Sequence, residues 1–454
     1  MAATPDPAAI LARYPAAVPR YTSYPTAPHF QAELGADLLP RMLASVSPGE
    51  RVSLYLHIPF CDKLCWFCGC HTKHTLKYDP VAAYVGTLLE EIGRVAATIG
   101  FRAPVGHIHF GGGSPSMLSA ADLTRLGDAL RGAFTVDAQT EISVEIDPSD
   151  VTDETLRGLQ ALGLTRASIG VQDFDVEVQR AINRPQSFEL TRDVAAALRG
   201  IGVRSLNIDA LYGLPLQSEQ RLAATIAKVI ELRPDRVALF GYAHVPWLKK
   251  HQTMIRDADL PDGLARFHQA ALASRMMREA GYEAIGIDHF ARPGDALAIA
   301  AREGTLHRNF QGYTTDTCTT LIGLGASSIG SFADGYVQNI VPTAQYAEAI
   351  ARGELAGSRG YELTEDDRVR GWMITRLMCD FAIDFNAMDA RFGAAAAPYL
   401  REARMIAAGD SDRLCVIEGA RFVVPPDMRA FTRIVAARFD AYLNASEARY
   451  SKAV

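Results

Sequence analysis

The cysteines of this chain are concentrated at one point. Cys61, Cys65 and Cys68 form a C-x3-C-x2-C spacing, and Cys70 follows two residues later. Three close thiolates can hold three irons of a 4Fe-4S cluster, and the fourth iron is then left without a protein ligand. Because an open iron can bind a small molecule, the spacing predicts a cluster that chelates a cofactor, with Cys61, Cys65 and Cys68 as its metal ligands.

The alternative is a closed zinc site, in which four cysteines hold one ion and stabilise a loop. Zinc sites usually pair their ligands across C-x2-C steps, with a second pair elsewhere in the sequence. Here Cys68 and Cys70 instead flank the single residue Gly69. The spacing therefore favours an iron-sulfur cluster over zinc.

A glycine-rich segment stands at 111–115, with the sequence Gly-Gly-Gly-Ser-Pro, where the second predicted strand ends. A run of glycines is often only a tight turn. Its position at a strand end beside the cysteine loop favours a binding role, because parallel α/β enzymes bind ligands at the carboxyl ends of their strands. Its spacing does not fit the G-x-G-x-x-G nucleotide-binding pattern.

Short aliphatic segments alternate with longer helical patterns from residue 51 onward, and these elements must position both motifs. The predicted strands are 51–60, 105–113, 141–148, 166–174, 203–213 and 236–245. Such repeated βα units are typical of a parallel sheet with helical crossovers. Half-exposed antiparallel strands are the alternative, but strands separated by full helices do not form hairpins.

The predicted strands have one apolar and one polar face. Aliphatic side chains at the even positions of 52–58 alternate with Tyr55 and His57, and the same alternation recurs around Glu145 and Asp209. Successive side chains of a strand point to opposite faces. The pattern predicts an α/β fold with a curved sheet or partial barrel, whose helices cover the apolar face and whose polar face encloses a ligand cavity.

The chain is predicted to have three parts: an N-terminal arm with a short helix at 1–50, a barrel with its extension at 51–355, and a mainly helical C-terminal domain at 356–454. Further predicted elements are helices at 264–281, 365–381 and 427–450 and a short β-like segment near 413–424.

Composition excludes several classes of partner. The net charge is -6 and no block of Lys or Arg stands out, so no nucleic acid partner is expected. Neither a membrane-spanning run nor the continuous apolar segment of a signal peptide is present, which predicts a cytoplasmic protein with no membrane partner. The seven cysteines are an odd number, which argues against disulfide stapling. A monomer is the working expectation.

The cysteine motif, Cys61-x3-Cys65-Trp66-Phe67-Cys68, resembles the signature of the radical S-adenosylmethionine (SAM) superfamily. The resemblance implies that the free iron binds the amino and carboxylate groups of SAM. One electron from the reduced cluster would then cleave SAM to a 5'-deoxyadenosyl radical, which abstracts hydrogen from unactivated carbon. The glycine-rich segment resembles the superfamily segment that approaches the methionyl moiety of SAM.

Five further segments are similar to the oxygen-independent coproporphyrinogen III oxidases, so that the resemblance covers about nine tenths of the chain: Pro19–Ala27, Cys68–Cys70, Ile287–Ala291, His307–Tyr313 and, less diagnostically, Tyr361–Asp367. It implies a partial (β/α)6 radical SAM barrel. It also implies oxidative decarboxylation of two propionate side chains of coproporphyrinogen III to vinyl groups, which gives protoporphyrinogen IX in haem (porphyrin) biosynthesis. An electron donor, flavodoxin-like or similar, is then a required partner.

The family resemblance also implies two bound SAM molecules. The positions that match contacts to the SAM on the cluster are Tyr55, Gly112, Glu145 and Ile329. The positions that match contacts to the second SAM are Phe67, Gly113, Ser114, Gln172, Arg184, Asp209 and Ala243. Tyr55 and Glu145 join the three cysteines as the candidate catalytic residues.

Arg20, Arg292 and Arg308 lie in or beside the family segments and are candidate propionate ligands, because guanidinium can bind carboxylate through two hydrogen bonds. The alternative function is that of a related haem chaperone, a haem-binding protein that keeps the radical SAM motif. Those relatives lack the Cys70 step and the arm segment 20–25, both of which this chain contains.

Overall fold

The structure is a computed structural model that describes residues 6–14 and 17–443. Its strands are β1 (Gln31–Ala32), β2 (Val52–Ile58), β3 (Phe60–Cys61), β4 (Lys73–His74), β5 (Val105–Gly112), β6 (Glu141–Ile146), β7 (Arg166–Gln172), β8 (Ser205–Tyr212), β9 (Arg236–Gly241), β10 (Glu283–Ile285), β11 (His289–Ala291), β12 (His307–Asn309), β13 (Gly312–Thr314), β14 (Thr320–Leu324), β15 (Ile329–Phe332), β16 (Gly335–Asn339), β17 (Gly357–Glu362), β18 (Ala382–Asp384), β19 (Val416–Glu418) and β20 (Arg421–Val423).

The α-helices are α1 (Pro7–Arg13), α2 (Leu34–Ala44), α3 (Asp79–Ile99), α4 (Ala120–Ala133), α5 (Asp153–Leu162), α6 (Val176–Ala181), α7 (Phe188–Gly200), α8 (Glu219–Glu231), α9 (Gly263–Glu279), α10 (Ala296–Glu303), α11 (Thr343–Ala351), α12 (Glu365–Asp380), α13 (Phe385–Phe392), α14 (Ala397–Ala408) and α15 (Thr432–Ala437). Short 3-10 helices are Ala27–His29, Pro115–Met117, Pro148–Asp150, Lys250–Met254, Asp257–Asp259, Gly393–Ala396 and Pro426–Phe431.

One large sheet dominates the described residues, in the order β1-β17-β16-β15-β14-β2-β5-β6-β7-β8-β9-β11-β10. Strands β2, β5, β6, β7, β8 and β9 are the six predicted strands, and their neighbours pair in parallel. The predicted partial (β/α)6 barrel is therefore confirmed, and the antiparallel alternative is wrong for these strands. The sheet also continues beyond both edges of the predicted set. On one side β14 pairs with β2 in parallel and antiparallel strands follow it, and on the other side β11 and β10 are antiparallel; the sequence pattern did not indicate these strands.

The two faces of β2 show where the alternating apolar and polar side chains lie in the fold. Val52, Leu54, Leu56 and Ile58 are 0% exposed and belong to the main hydrophobic core. Burial of such side chains is the principal stabilising contribution to a domain of this kind. The opposite face is also covered, with His57 only 5% exposed. The polar face is thus an interior surface, which must satisfy its own hydrogen bonds.

The β12–β13 hairpin covers a section of this polar interior. Gln311 and Tyr313 from the hairpin line a small cavity of about 140 Å³ together with Glu145 and Asp209 from the barrel strands. The Tyr313 ring lies edge-on to His289, with 5.1 Å between ring centroids. The predicted cavity on the polar side of the sheet is therefore present, and a segment far along the chain covers it.

The N-terminal arm belongs to a second hydrophobic core, which it shares with helices of the C-terminal domain. Tyr21 and Tyr24 are each 5% exposed. The Tyr21 hydroxyl donates to Asp440 at 3.0 Å, and the Tyr24 hydroxyl accepts from the Ala441 N–H at 3.0 Å. The arm is thus part of this core, because its tyrosines supply ring area and a bonded hydroxyl together.

The C-terminal domain is mainly helical, as predicted, with a small antiparallel sheet in the order β18-β20-β19. The predicted long helix at 427–450 is instead a 3-10 turn followed by the short α15, and residues 444–450 lie outside the described ranges. The domain limit near 355 stays a prediction. Strand β17, which follows that limit, pairs with β16 in the large sheet. Within the described residues, no helix has the length and apolarity needed to cross a membrane.

Candidate active site

The cysteine loop begins where β2 ends and is held by contacts on both sides. The Trp66 N–H donates to the Ile182 carbonyl at 2.9 Å, and the Asn183 side-chain amide donates to the Leu64 carbonyl at 2.9 Å. These bonds anchor the loop to the end of α6, which follows β7 in the chain. The loop is therefore ordered by the barrel rather than by a local turn alone.

A second set of contacts comes from the loop after β9. The Gln252 amide donates to the Phe67 carbonyl at 2.9 Å, a ring nitrogen of His251 lies 2.7 Å from the Cys68 carbonyl, and Lys249 Nζ donates to the Cys70 carbonyl at 2.9 Å. Sequence reasoning missed all three side chains. Their positions relative to the cysteines follow from the closeness of β9 to the loop in space, and no local pattern marks them.

Cys61, Cys65 and Cys68 line one cavity of about 490 Å³ at the mouth of the barrel. Within the described ranges, no group of three or more candidate ligand residues converges on a single metal ion. A 4Fe-4S cluster binds each cysteine to a different iron, so thiols distributed around one cavity fit a cluster better than a zinc ion. The predicted cysteine ligands are therefore brought together in an arrangement that suits the cluster.

Two donors already face these sulfurs. The Arg184 Nη1 donates to Cys65 Sγ at 3.4 Å, and the Cys70 N–H donates to Cys68 Sγ at 3.3 Å. Hydrogen bonds to thiolate sulfurs stabilise their negative charge and tune the potential of an iron-sulfur cluster. Cys70 thus contributes its backbone N–H to the site.

The glycine-rich segment packs against the strand that carries the cysteines. Gly112 has a φ of 110°, which favours glycine. A Cβ on Gly113 would lie 2.4 Å from the Phe60 carbonyl oxygen. The N–H groups of Gly113 and Ser114 donate to the carbonyls of Ile58 and Phe60, each at 2.7 Å. Only glycine allows this close approach, so the segment is a structural requirement of the site.

Glu145 lies on the polar face beside this segment. Its carboxylate accepts from the Gly112 N–H at 3.0 Å and lies 3.4 Å from a ring nitrogen of His109. Burial alone would raise the pKa of Glu145, but the His109 hydrogen bond, the attraction of that ring and the Gly112 N–H together hold the pKa below its usual value. Glu145 is therefore an anion inside the cavity.

Asp209 is the second carboxylate of this wall. Ser168 Oγ and the Asn207 side-chain amide donate to it, both at 2.8 Å. Burial raises the pKa of Asp209, although these hydrogen bonds act in the opposite direction. Asp209 remains a hydrogen-bonding group that faces the cavity from β8, which β5, β6 and β7 separate from β2 in the sheet.

Arg184 spans the cavity wall between the cysteine loop and the strands. Its side chain forms an ion pair with Asp147 at 2.9 Å and donates to the Gly170 carbonyl at 2.7 Å. The Arg184 side chain is only 13% exposed. Asp147, which directly follows β6 and also caps the 3-10 helix Pro148–Asp150, was not among the predicted site residues.

Most predicted site residues meet at this cavity, whose lining includes Cys61, Cys65, Phe67, Cys68, Gly112, Gly113, Ser114, Glu145, Gln172, Arg184, Asp209 and Ala243. Two predicted residues do not line it. Tyr55 lies behind the wall, where its hydroxyl is 3.0 Å from His57 Nδ1 and its ring stacks on His109. Ile329 begins β15, opposite Gln338 of β16.

The three candidate propionate ligands separate into two groups. Arg20 and Arg308 line the cavity. Arg292 donates to the carbonyls of Pro234 and Arg233, which precede β9. It therefore lies at the amino ends of the strands, away from the cavity at their carboxyl ends. The structure therefore does not bring Arg292 to the cavity, because a residue near a family segment in sequence can still lie at the amino end of the strands.

Comparison with known proteins extends the geometric result. Residues 55–229 match the family model described as the radical SAM superfamily, and residues 363–427 match the model described as the HemN C-terminal domain. The chain is 48% identical to an oxygen-independent coproporphyrinogen III oxidase of Cereibacter sphaeroides, over 98% of both chains. It is 40% identical to the Escherichia coli protein of the same name, over 96% of this chain and 95% of that one.

Comparison with solved structures gives a similarity to the same family. The chain is similar to coproporphyrinogen III oxidase (HemN) from Escherichia coli, described as a radical SAM enzyme, with a TM-score of 0.88 and 38% sequence identity. The similarity covers 96% of this chain and 99% of that chain. Both the barrel and the C-terminal domain are therefore included.

Replacing Cys61 with Ala is expected to remove the iron-sulfur absorbance and the bound iron, because two thiolates cannot hold the cluster in place of three. Cys70→Ala is the matched control and should keep both, since Cys70 contributes its N–H rather than a required ligand. Iron, sulfide and zinc content of anaerobically prepared protein, with visible absorbance, measures this. A full cluster spectrum in Cys61→Ala, or stoichiometric zinc in the wild type, would contradict the ligand assignment.

Proposed function

The chain belongs to the family of oxygen-independent coproporphyrinogen III oxidases, which are radical SAM enzymes, and on that premise we propose that it decarboxylates two propionates of coproporphyrinogen III to give protoporphyrinogen IX. The observation that carries the proposal is the cavity in which three cysteines, the glycine-rich segment and Glu145 meet. The reaction serves haem biosynthesis and is an oxidation, so the protein is an oxidoreductase.

Family membership implies a 4Fe-4S cluster and SAM as cofactors, and the residues present fit both. Cys61, Cys65 and Cys68 would hold the cluster. When bound, the cluster and SAM supply a hydrogen-abstracting radical, a reaction that no side chain performs alone. The carboxylate of Glu145 suits the ammonium group of SAM, because charge-assisted hydrogen bonds are the strong ones. The backbone of Gly112 and Gly113 can approach the ligand closely, because neither carries a side chain.

The positions matched to a second SAM support two bound molecules. Gln172, Arg184 and Asp209 line the side of the cavity that is formed by β7, β8 and the residues after α6. Asp209 suits a ribose hydroxyl or a charged group, and Arg184 suits a carboxylate. The two proposed sites therefore use different strands of one wall, with Glu145 on β6 serving the SAM at the cluster.

The proposed enzyme works in the cytoplasm as a monomer. All cysteines of the described ranges are free thiols, which suits a reducing compartment. The haem chaperone alternative is not favoured, because the chain matches oxidases over 98% of its length and contains both Cys70 and the arm.

The electron donor is proposed to dock beside the cluster cavity. Its proposed docking site, called the donor surface here, is formed by Trp247, Leu248, Lys250 and Met254. Trp247, Leu248 and Met254 are 52%, 70% and 56% exposed. Neighbouring Lys249 bonds the Cys70 carbonyl, so this surface adjoins the cysteine loop. Exposed apolar side chains flanked by lysines fit a small acidic one-electron carrier such as a flavodoxin.

The reconstituted protein, supplied with SAM, a reductant and coproporphyrinogen III without oxygen, should release carbon dioxide and form protoporphyrinogen IX. The measurement is product analysis by chromatography of the oxidised porphyrins. The heat-denatured protein serves as the control. Tight haem binding without any decarboxylation by the intact protein would overturn the proposal in favour of the chaperone.

Cluster-loaded protein is expected to bind two SAM molecules at saturation. Glu145→Gln should weaken one site and Asp209→Asn the other, each by about 10- to 100-fold, because each change removes a buried hydrogen bond to a charged or polar group. Isothermal titration calorimetry of both variants measures this. A single SAM per wild-type chain, with the cluster intact, would remove the basis for the second site.

Lys250→Glu should weaken the binding of flavodoxin by about 10-fold at low ionic strength, because rim charges steer and stabilise such transient complexes. Titration calorimetry with flavodoxin as the probe gives the dissociation constant. Arg401→Glu, the same charge reversal on exposed α14, is the control and should have no effect. Equal flavodoxin affinity of the wild type and Lys250→Glu would exclude the donor surface.

A further inference from the structure

A second cavity of about 380 Å³ adjoins the cluster cavity, and arginines dominate its polar lining. Arg20, Arg266, Arg308 and Arg433 face it, and it is called the arginine cavity here. Arg20 and Arg308 also line the cluster cavity. The two spaces therefore share a wall, and a molecule could reach from one into the other past these two side chains.

Two guanidinium groups of the arginine cavity, those of Arg308 and Arg266, have buried nitrogens without acceptors among the described residues. The Arg308 side chain is 4% exposed, and its Nε and Nη1 have no hydrogen-bond partner among the described residues. Arg266 Nε is likewise buried without a partner there. Leaving buried charged donors unbonded is costly. A ligand that supplies acceptors at this point would remove that cost.

The charge is also unbalanced. Asp288 is the nearest carboxylate, 3.8 Å from Arg308 Nη1, and it is already bonded to His289 at 2.7 Å. Burial, followed by repulsion from Arg20, lowers the pKa of Arg433 to about 9. Further along the wall, Arg278 and Arg429 add positive charge and Asp427 adds one negative charge; all three line the same cavity. The site is therefore built for anions.

The remaining walls are apolar. Leu239, Phe267, Ile287 and Phe290 line the arginine cavity, and Arg266 stacks over the Tyr212 ring at 5.9 Å. Buried arginines beside aliphatic and aromatic side chains fit a ligand that carries carboxylates on a large apolar body. A free inorganic anion would use the arginines but not these walls.

We propose that the arginine cavity binds the two propionates that remain in the product, so that a propionate about to react lies in the cluster cavity. This inference rests on the function proposed above. Of the two cavities, only the cluster cavity is lined by cysteines and by Glu145. A tight guanidinium fork also stabilises a carboxylate in its ground state, which opposes loss of carbon dioxide. Arginine forks therefore suit the carboxylates that stay.

The test uses cluster-loaded protein and two stable porphyrins. Coproporphyrin III carries four propionates, and mesoporphyrin IX carries only the two that the reaction would leave. Arg266→Gln should weaken the binding of both by a similar factor, about 10- to 100-fold, because it removes a charge-assisted hydrogen bond. Fluorescence titration gives the dissociation constants, while cluster content and SAM binding should stay at wild-type values.

Arg292→Gln is the matched control, because Arg292 stacks over Tyr282 at 5.8 Å in the same way but lies outside the arginine cavity. It should leave both affinities unchanged. Arg308→Lys is the second variant, since it keeps the charge and loses the fork. It should also weaken both porphyrins, which supports the same conclusion if Arg266→Gln does not fold.

Unchanged mesoporphyrin affinity in both variants would overturn the inference, whether or not coproporphyrin III affinity falls, because the arginines would then not bind the retained propionates. The proposed function fails separately. A wild-type protein that does not convert coproporphyrinogen III removes both, whereas conversion by the wild type with unaffected variants removes only the inference.

Discussion

Parallel pairing of β2 with β5 is the constraint on which the site depends. The pairing aligns the ends of both strands, and it continues beyond them when the N–H groups of Gly113 and Ser114 bond the carbonyls of Ile58 and Phe60. These bonds hold the glycine-rich segment against the strand that leads into the cysteine loop. Since neighbouring parallel strands all end at one edge, Glu145 and Asp209 reach the same cavity from β6 and β8.

Apart from Arg184, which pairs with Asp147, the charges of the site are sorted by position. Carboxylates on the central strands face the region of the cavity where a cationic cofactor is proposed to bind, and guanidinium groups gather where β9, β11 and the arm meet. Segregation of this kind favours a single orientation for any ligand that has a cationic end and an anionic end. Arg308, which lines both cavities, marks the boundary between the two regions.

The arm connects this boundary to the C-terminal domain. Arg433 donates to the carbonyls of Val18 and Pro19 at 2.6 and 3.1 Å, and Arg20 donates to the Gly241 carbonyl at 2.6 Å. The arm residues 18–24 therefore contact the second core and the end of β9, and Arg20 lines both cavities. This explains why a short segment rich in tyrosine and proline resembles the family so closely: its side chains serve folding and the site together.

The sequence by itself determined the features that depend on local order. The spacing of the cysteines, the order of the six central strands and the split between their faces all follow from neighbours in the chain, because a strand's side chains alternate with a period of two. The resemblance to a known family then identified Glu145, Arg184 and Asp209 as site residues, and all three line the cavity. Tyr55, Ile329 and Arg292 were also candidates, but they do not line this cavity.

Only the tertiary structure decided which distant segments complete the site. The bonds from Lys249, His251 and Gln252 to the cysteine loop join residues more than 170 positions apart, and nothing local to either segment encodes them. The burial of Tyr21 and Tyr24, and the gathering of arginines around Asp288, are likewise products of packing between elements. Spacing along a chain specifies periodicity, whereas burial and charge balance depend on every element that packs against a residue, and these appear only once the chain has folded.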